Sequence, residues 1–178
     1  MKPATRFVAA LSLSLSLSLA MLAPGGALAA PSAIYLVRHG EKATGGAKDP
    51  ELTEMGRVRA RNIAAMLGKA GIKAVFSTPL QRTRQTAAPL ALAGGLEVQA
   101  YDPAAPAALV AKVQSLSGAV LVVGHSNTLT ELVRLFGGVA GPDIADNEYD
   151  RLYQLIVKPN GGITTVLLTS VPATGAAP

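Results

Sequence analysis

Ala33-Ile34-Tyr35-Leu36-Val37-Arg38-His39-Gly40 and Val120-Leu121-Val122-Val123-Gly124-His125 are two short apolar runs, and each leads into a histidine. The chain has 2 histidines, and these are both of them. Runs this short, rich in Val, Ile and Leu and closed near glycine, predict buried strands. In open α/β sheets the crevice beyond the carboxyl ends of the strands is where ligands bind. The two imidazoles, Arg38 and two glycines are therefore candidates for a single crevice. Two unrelated loop histidines are the plainer alternative.

Outward from these runs, strand-like and helix-like stretches alternate. The first strand covers about Ala33 to Val37, and a polar loop follows from Glu41 to Pro50. A helix is expected from Thr53 to Ala70, with Thr53 as N-cap and Gly71 after its last turn. Arg57, Arg59 and Arg61 on it read as a solvated face. Further strands are expected at Ala74 to Ser77, Glu97 to Tyr101 and Ala119 to Val123. Helices are expected at Leu80 to Ala93, Pro106 to Leu116 and Thr128 to Phe136. Pro89 predicts a kink or break, because proline has no N–H for the carbonyl of Gln85. A loop rich in Gly, Pro and Asp, Gly137 to Asn147, precedes two late strands, Arg151 to Val157 and Ile163 to Thr169. Asn160-Gly161 between them is a hairpin signal. Glu148-Tyr149-Asp150-Arg151 reads as a turn leading into a strand, with a border of the crevice as the alternative. The fold class expected is α/β: a three-layer α/β/α sandwich with a mainly parallel sheet and a closing C-terminal hairpin.

Residues 1–29 read as a secretory signal peptide. Lys2 and Arg6 are basic, Phe7 to Leu22 is apolar apart from a Leu-Ser alternation, and Ala27-Leu28-Ala29 offers a cleavage site. The apolar stretch is shorter than the ~20 residues of a spanning helix. Cleavage after Ala29 leaves one domain, residues 30–171, and an Ala/Pro/Gly tail, 172–178, expected to be disordered. Export to the periplasm or beyond the cell follows as an expectation. Without the two leader cations the net charge falls from +5 to +3. No Lys/Arg block is present, which argues against nucleic acid as a partner. A locally positive cleft would suit a small anionic substrate. Transient contact with a membrane surface and the oligomeric state are left open. The chain contains 0 cysteines, which excludes disulfides, thiolate catalysis and cysteine metal sites.

Three segments carry candidate chemistry. Arg38-His39-Gly40-Glu41 would place a rigid imidazole at the sheet rim, a nucleophile once one ring nitrogen is pinned and the other free. Gly40 would allow close approach, and the planar fork of Arg38 matches phosphate oxygens. Ser77-Thr78-Pro79-Leu80-Gln81-Arg82-Thr83-Arg84-Gln85-Thr86-Ala87 places Arg82 in the first turn of a helix, where free N–H groups favour an anion. Arg82 and Arg84 point to different sides, so one of them enters the pocket. Val123-Gly124-His125-Ser126-Asn127-Thr128 sets a second histidine past a strand, with Ser126, Asn127 and Thr128 as N-cap residues.

In this order, R-H-G-E, S-T-P-L-x-R-T-x-Q-T-A and V-V-G-H-S-N-T resemble the histidine phosphatase (phosphoglycerate mutase-like) superfamily, over about Ala33 to Phe136. The resemblance implies a phosphohistidine intermediate on His39. It places Arg38, Arg82 and His125 around the phosphoryl group and Arg84 outside. No metal or other cofactor is expected, because the arginines supply the positive charge. The general acid departs from the family pattern: Leu96 to Pro103 has no clear glutamate equivalent, and Ser126 stands where another branch has aspartate. Glu41 is the favoured candidate, and Asp102 the second. The function expected is an exported phosphatase acting on phosphate monoesters. A phosphomutase, a non-catalytic phospholigand-binding module, and a metal site of His39, His125 and Glu41 are the alternatives.

Overall fold

The computed structural model describes residues 30–174. The expected signal peptide lies outside the described residues, as do residues 175–178. Six strands and four helices follow in the order β1 (Pro31–Arg38), α1 (Glu54–Leu67), β2 (Ile72–Ser77), α2 (Gln81–Gly94), β3 (Val98–Ala100), α3 (Pro106–Gln114), β4 (Gly118–Gly124), α4 (Ser126–Leu135), β5 (Arg151–Val157) and β6 (Ile163–Thr169). They build one sheet of order β3-β2-β4-β1-β5-β6. β3, β2, β4 and β1 run parallel, while β5 and β6 close the sheet as an antiparallel hairpin.

The central strands are apolar on both faces because both faces are covered. Ile34, Leu36, Val120 and Val122 pack with Leu129, Leu132 and Val133 of α4 and Leu109 and Val113 of α3. The alternate residues Tyr35, Val37, Leu121 and Val123 pack with Ile63 and Leu67 of α1 and Leu90 and Ala91 of α2. The period of two along each strand thus feeds two separate cores, which makes three layers.

Element bounds shift where tertiary contacts intervene. α1 starts as expected, with Thr53 Oγ1 accepting from Gly56 N, but stops at Leu67 rather than Ala70. α2 does not break at Pro89 and runs on to Gly95, whose left-handed backbone (φ 61°) closes it. The carbonyl of Gln85 lacks its helical donor, and Gln85 and Pro89 line an open groove. Buried Thr86, Ala87, Leu90 and Ala91 hold the helix to the sheet on either side of that gap. α4 starts earlier than expected, so His125 itself is the N-cap. Ser126, Asn127 and Thr128 form the first turn, and Thr128 Oγ1 accepts from His125 N.

Arg59 departs from the solvated face read for its helix. It is 1% exposed, whereas Arg57 and Arg61 face out and pair with Glu54. Arg59 Nη1 donates to Ser170 Oγ and to the carbonyl of Pro172. Thr174 N donates to Asp150 Oδ2, and Thr174 Oγ1 accepts from Tyr149 N. The first residues of the expected tail are thereby held against the domain.

Candidate active site

Parallel pairing sets the site. Arg38 lies opposite Gly124 in the β1–β4 register, and His39 N donates to the carbonyl of Gly124 at 3.0 Å. The residues that follow the two strands are the two histidines. Their rings stand 5.4 Å apart between centroids, at 65°. Ser77 pairs with Val123 on the other side of β4, which brings Thr78 to His125. Thr78 Oγ1 and His125 Nε2 lie 3.1 Å apart, and the imidazole tautomer decides which donates.

His39 has its tautomer fixed. Its Nδ1 is 2.7 Å from the carbonyl oxygen of Gly40. A carbonyl only accepts, so Nδ1 carries the proton of the neutral ring and Nε2 keeps its lone pair. Burial is the main reason the ring resists protonation, and His125, Arg38 and Arg82 add to it. The pKa falls from 6.5 to about 3. His125 falls to about 4, again through burial first and then Arg82 and Arg38. Both imidazoles are neutral near pH 7.

Two guanidinium groups flank them. Arg38 is buried, and its Nη1 donates to the carbonyls of Ala145 (2.8 Å) and Glu148 (2.7 Å). Its plane lies over the Tyr149 ring, 4.2 Å from the centroid. Burial lowers its pKa, and Tyr149, Asp146, Glu148 and Glu41 oppose that. An arginine so placed remains a cation. Arg82 projects from the first turn of α2 into the same cleft, whereas Arg84 lines a different surface. Asp49 pairs with Arg82 at 3.7 Å. Among the described residues, Arg38 Nε and Arg82 Nε are buried donors without a partner. A cleft of about 370 Å³ opens over these groups, lined also by Lys42, Ser126, Asn127 and Asp146. The N-terminus of α4 faces it, a setting that favours an anion.

Several expected site residues sit elsewhere. The Glu41 carboxylate accepts from Arg59 Nη2 (2.6 Å) and Nε (3.0 Å) and is not part of the cleft lining. Glu41 is thus committed to the buried cation of Arg59. That same pairing separates it from the two histidines as a metal ligand, and the described residues contain no cluster of three or more His, Asp or Glu. The Asp102 carboxylate accepts from Ala104 N, and its neighbour Pro103 lines the cleft in its place. The Gly40 N–H donates to Thr86 Oγ1, and a Cβ there would meet the Gly56 backbone at 2.8 Å. The N-terminus of α2 is occupied as well, since Gln81 N donates to the Asp49 carboxylate.

Asp146 and Thr78 were not singled out in the sequence as site residues. Glu148 to Arg151 was legible as a turn leading into a strand. It also borders the site, through the Glu148 carbonyl and the Tyr149 ring.

Residues 34–103 match the family model of the histidine phosphatase superfamily, branch 1. The match supports that superfamily. A curated relative from Escherichia coli, named "Probable phosphoglycerate mutase GpmB", is 33% identical over 104 residues, covering 55% of this chain and 44% of its own length. The curated relative from Serratia proteamaculans, of the same name, is 42% identical over 71 residues and is covered over 33% of its length. The chain thus spans from a third to under half the length of the curated relatives it matches. Among solved structures, the protein histidine phosphatase SixA in complex with tungstate superposes with a TM-score of 0.59 at 21% identity, over 78% of this chain and 96% of that one. A mycobacterial glucosyl-3-phosphoglycerate phosphatase gives 0.55 at 17%, over 78% and 98%. These likenesses establish the histidine phosphatase fold, a mixed α/β sheet of six strands with four helices.

Proposed function

We propose that this chain is an exported phosphatase that hydrolyses phosphate monoesters through a phosphohistidine on His39. The observation that carries the reading is the Nδ1–H of His39 donating to the Gly40 carbonyl, beside two buried and unpartnered guanidinium Nε groups. A neutral imidazole with one free lone pair is a nucleophile, and unpartnered cationic donors await an anion.

In the proposed reaction the Nε2 lone pair attacks phosphorus in line with the leaving oxygen. Arg38, Arg82 and an N–H of His125 hold the equatorial oxygens, where charge is spread in the transition state. Water then displaces His39 from phosphorus and releases phosphate. The guanidinium groups supply the positive charge, so the proposed reaction uses no metal. Export rests on the leader read at residues 1–29, and its test is the N-terminus of protein recovered from cell fractions.

A panel of phosphorylated compounds, assayed with and without a chelator, tests the activity. Phosphate release should be chelator-insensitive, and His39→Ala should lower it by at least about 10³-fold. Full activity in that variant would refute the nucleophile. The name of the curated relatives, phosphoglycerate mutase, keeps a phosphomutase as the second reading. Transfer of the phosphoryl group to a second substrate hydroxyl, rather than to water, would favour it.

A further inference from the structure

We propose that Asp146 is the general acid and base of this site, an inference that rests on the phosphohistidine reading above. Among the described residues lining the cleft with His39, His125, Arg38 and Arg82, it is the one carboxylate. Its backbone is placed by a specific device. Glu148 N donates to the Ala145 carbonyl at 3.0 Å, which makes Ala145 to Glu148 a turn with Asp146 and Asn147 at its corner. Arg38 Nη1 donates to the carbonyls at both ends of that turn. The guanidinium that borders the phosphoryl position therefore also suspends the loop that carries the carboxylate. The next residues reinforce it: Tyr149 lies under Arg38, and Arg151 pairs with Glu148 at 2.6 Å and donates to the Pro142 carbonyl at 2.6 Å. No side-chain hydrogen bond to the Asp146 carboxylate occurs among the described residues, unlike Glu41 on Arg59 and Asp102 on Ala104. Its oxygens remain available to a substrate.

In the first step the His39 Nε2 lone pair forms the N–P bond while the P–O bond to the leaving group breaks. Asp146, protonated, gives its proton to the departing oxygen, which leaves as an alcohol. In the second step the Asp146 carboxylate takes a proton from water as the water oxygen bonds to phosphorus. The N–P bond breaks, its electron pair returns to Nε2, phosphate departs, and Asp146 is again protonated. Proton transfer of this kind is worth about 10²–10⁴-fold, and most where the leaving group is a poor one.

The test compares the full-length wild type with Asp146→Asn and Asp146→Glu on p-nitrophenyl phosphate, a good leaving group, and on ethyl phosphate, a poor one. The expected result for Asp146→Asn is a loss of kcat/KM of about 10²-fold or more on ethyl phosphate and below about fivefold on p-nitrophenyl phosphate. Radiolabelled phospho-His39 should accumulate in that variant, because its hydrolysis also slows. Asp146→Glu should restore part of the loss. Equal losses on both substrates, or none, would overturn the assignment. If His39 takes no label even in the wild type, the phosphohistidine reading itself is what fails.

Discussion

His39 and His125 lie among guanidinium groups in the cleft, and their pKa values of about 3 and about 4 have a consequence for stability. In the unfolded chain both titrate near 6.5. Between that value and 3–4 the unfolded state binds more protons than the folded one, so folding stability rises with pH across this window. Thermal unfolding followed from pH 7 to pH 4 should show the melting temperature falling. The decline should be shallower in a variant with both histidines replaced by glutamine. A profile of equal slope in the two proteins would contradict it. Glu41 makes a second residue-scale case. Its partner Arg59 is buried, so Glu41→Gln leaves an uncompensated cation inside the protein. The expected cost is about 3 kcal/mol of unfolding free energy, read from a denaturant midpoint. Preserved stability with selective loss of activity on poor leaving groups would instead restore Glu41 as the proton donor.

The helices show how elements aim these residues. α1 approaches the loop after β1 closely enough that a Cβ on Gly56 would meet the Glu41 carbonyl oxygen. Gly40 faces the same contact from the other side, and Thr53 N donates to that same Glu41 carbonyl. Gly56→Ala should therefore push α1 off the nucleophile loop, lowering stability by about 1–3 kcal/mol and phosphatase activity together. Circular dichroism melts and phosphate release on the same preparation check this. An unchanged rate would show that the close packing does not position His39. Local signals gave away much at this scale: Thr53 as a cap, Asn160-Gly161 as a hairpin. Arg59 was hidden because three arginines at alternate positions look alike in a polar run. Residues two apart on a helix nonetheless face nearly opposite ways, and only the solvent side suits Arg57 and Arg61.

At the scale of the whole molecule, the sheet order decides which loops meet. β1, β2 and β4 are parallel neighbours, so their carboxyl ends, each followed by an identifiable motif, share one edge. That part of the site was legible because a strand followed by a reactive residue repeats along the chain. β5 runs antiparallel to β1, with Leu152 opposite Val37. The loop entering β5, rather than the one leaving it, therefore reaches the site, and it carries Asp146, Glu148 and Tyr149. The sequence offered Glu148 to Arg151 as a border of the crevice only as the alternative to a turn, and it gave no such signal for Asp146, since the placement depends on which strand β5 joins and in which direction. The C-terminal segment joins the same end of the sheet through Arg59, Asp150 and Tyr149.

The most direct test is to mix the protein with a radiolabelled phosphomonoester, quench in alkali within the first turnovers, and map the labelled peptide by mass spectrometry. The expected product is one phosphoryl group per chain, stable to alkali, labile to acid and located on His39. A protein that releases phosphate without ever carrying label, or that carries it on another side chain, would contradict a covalent intermediate at this imidazole.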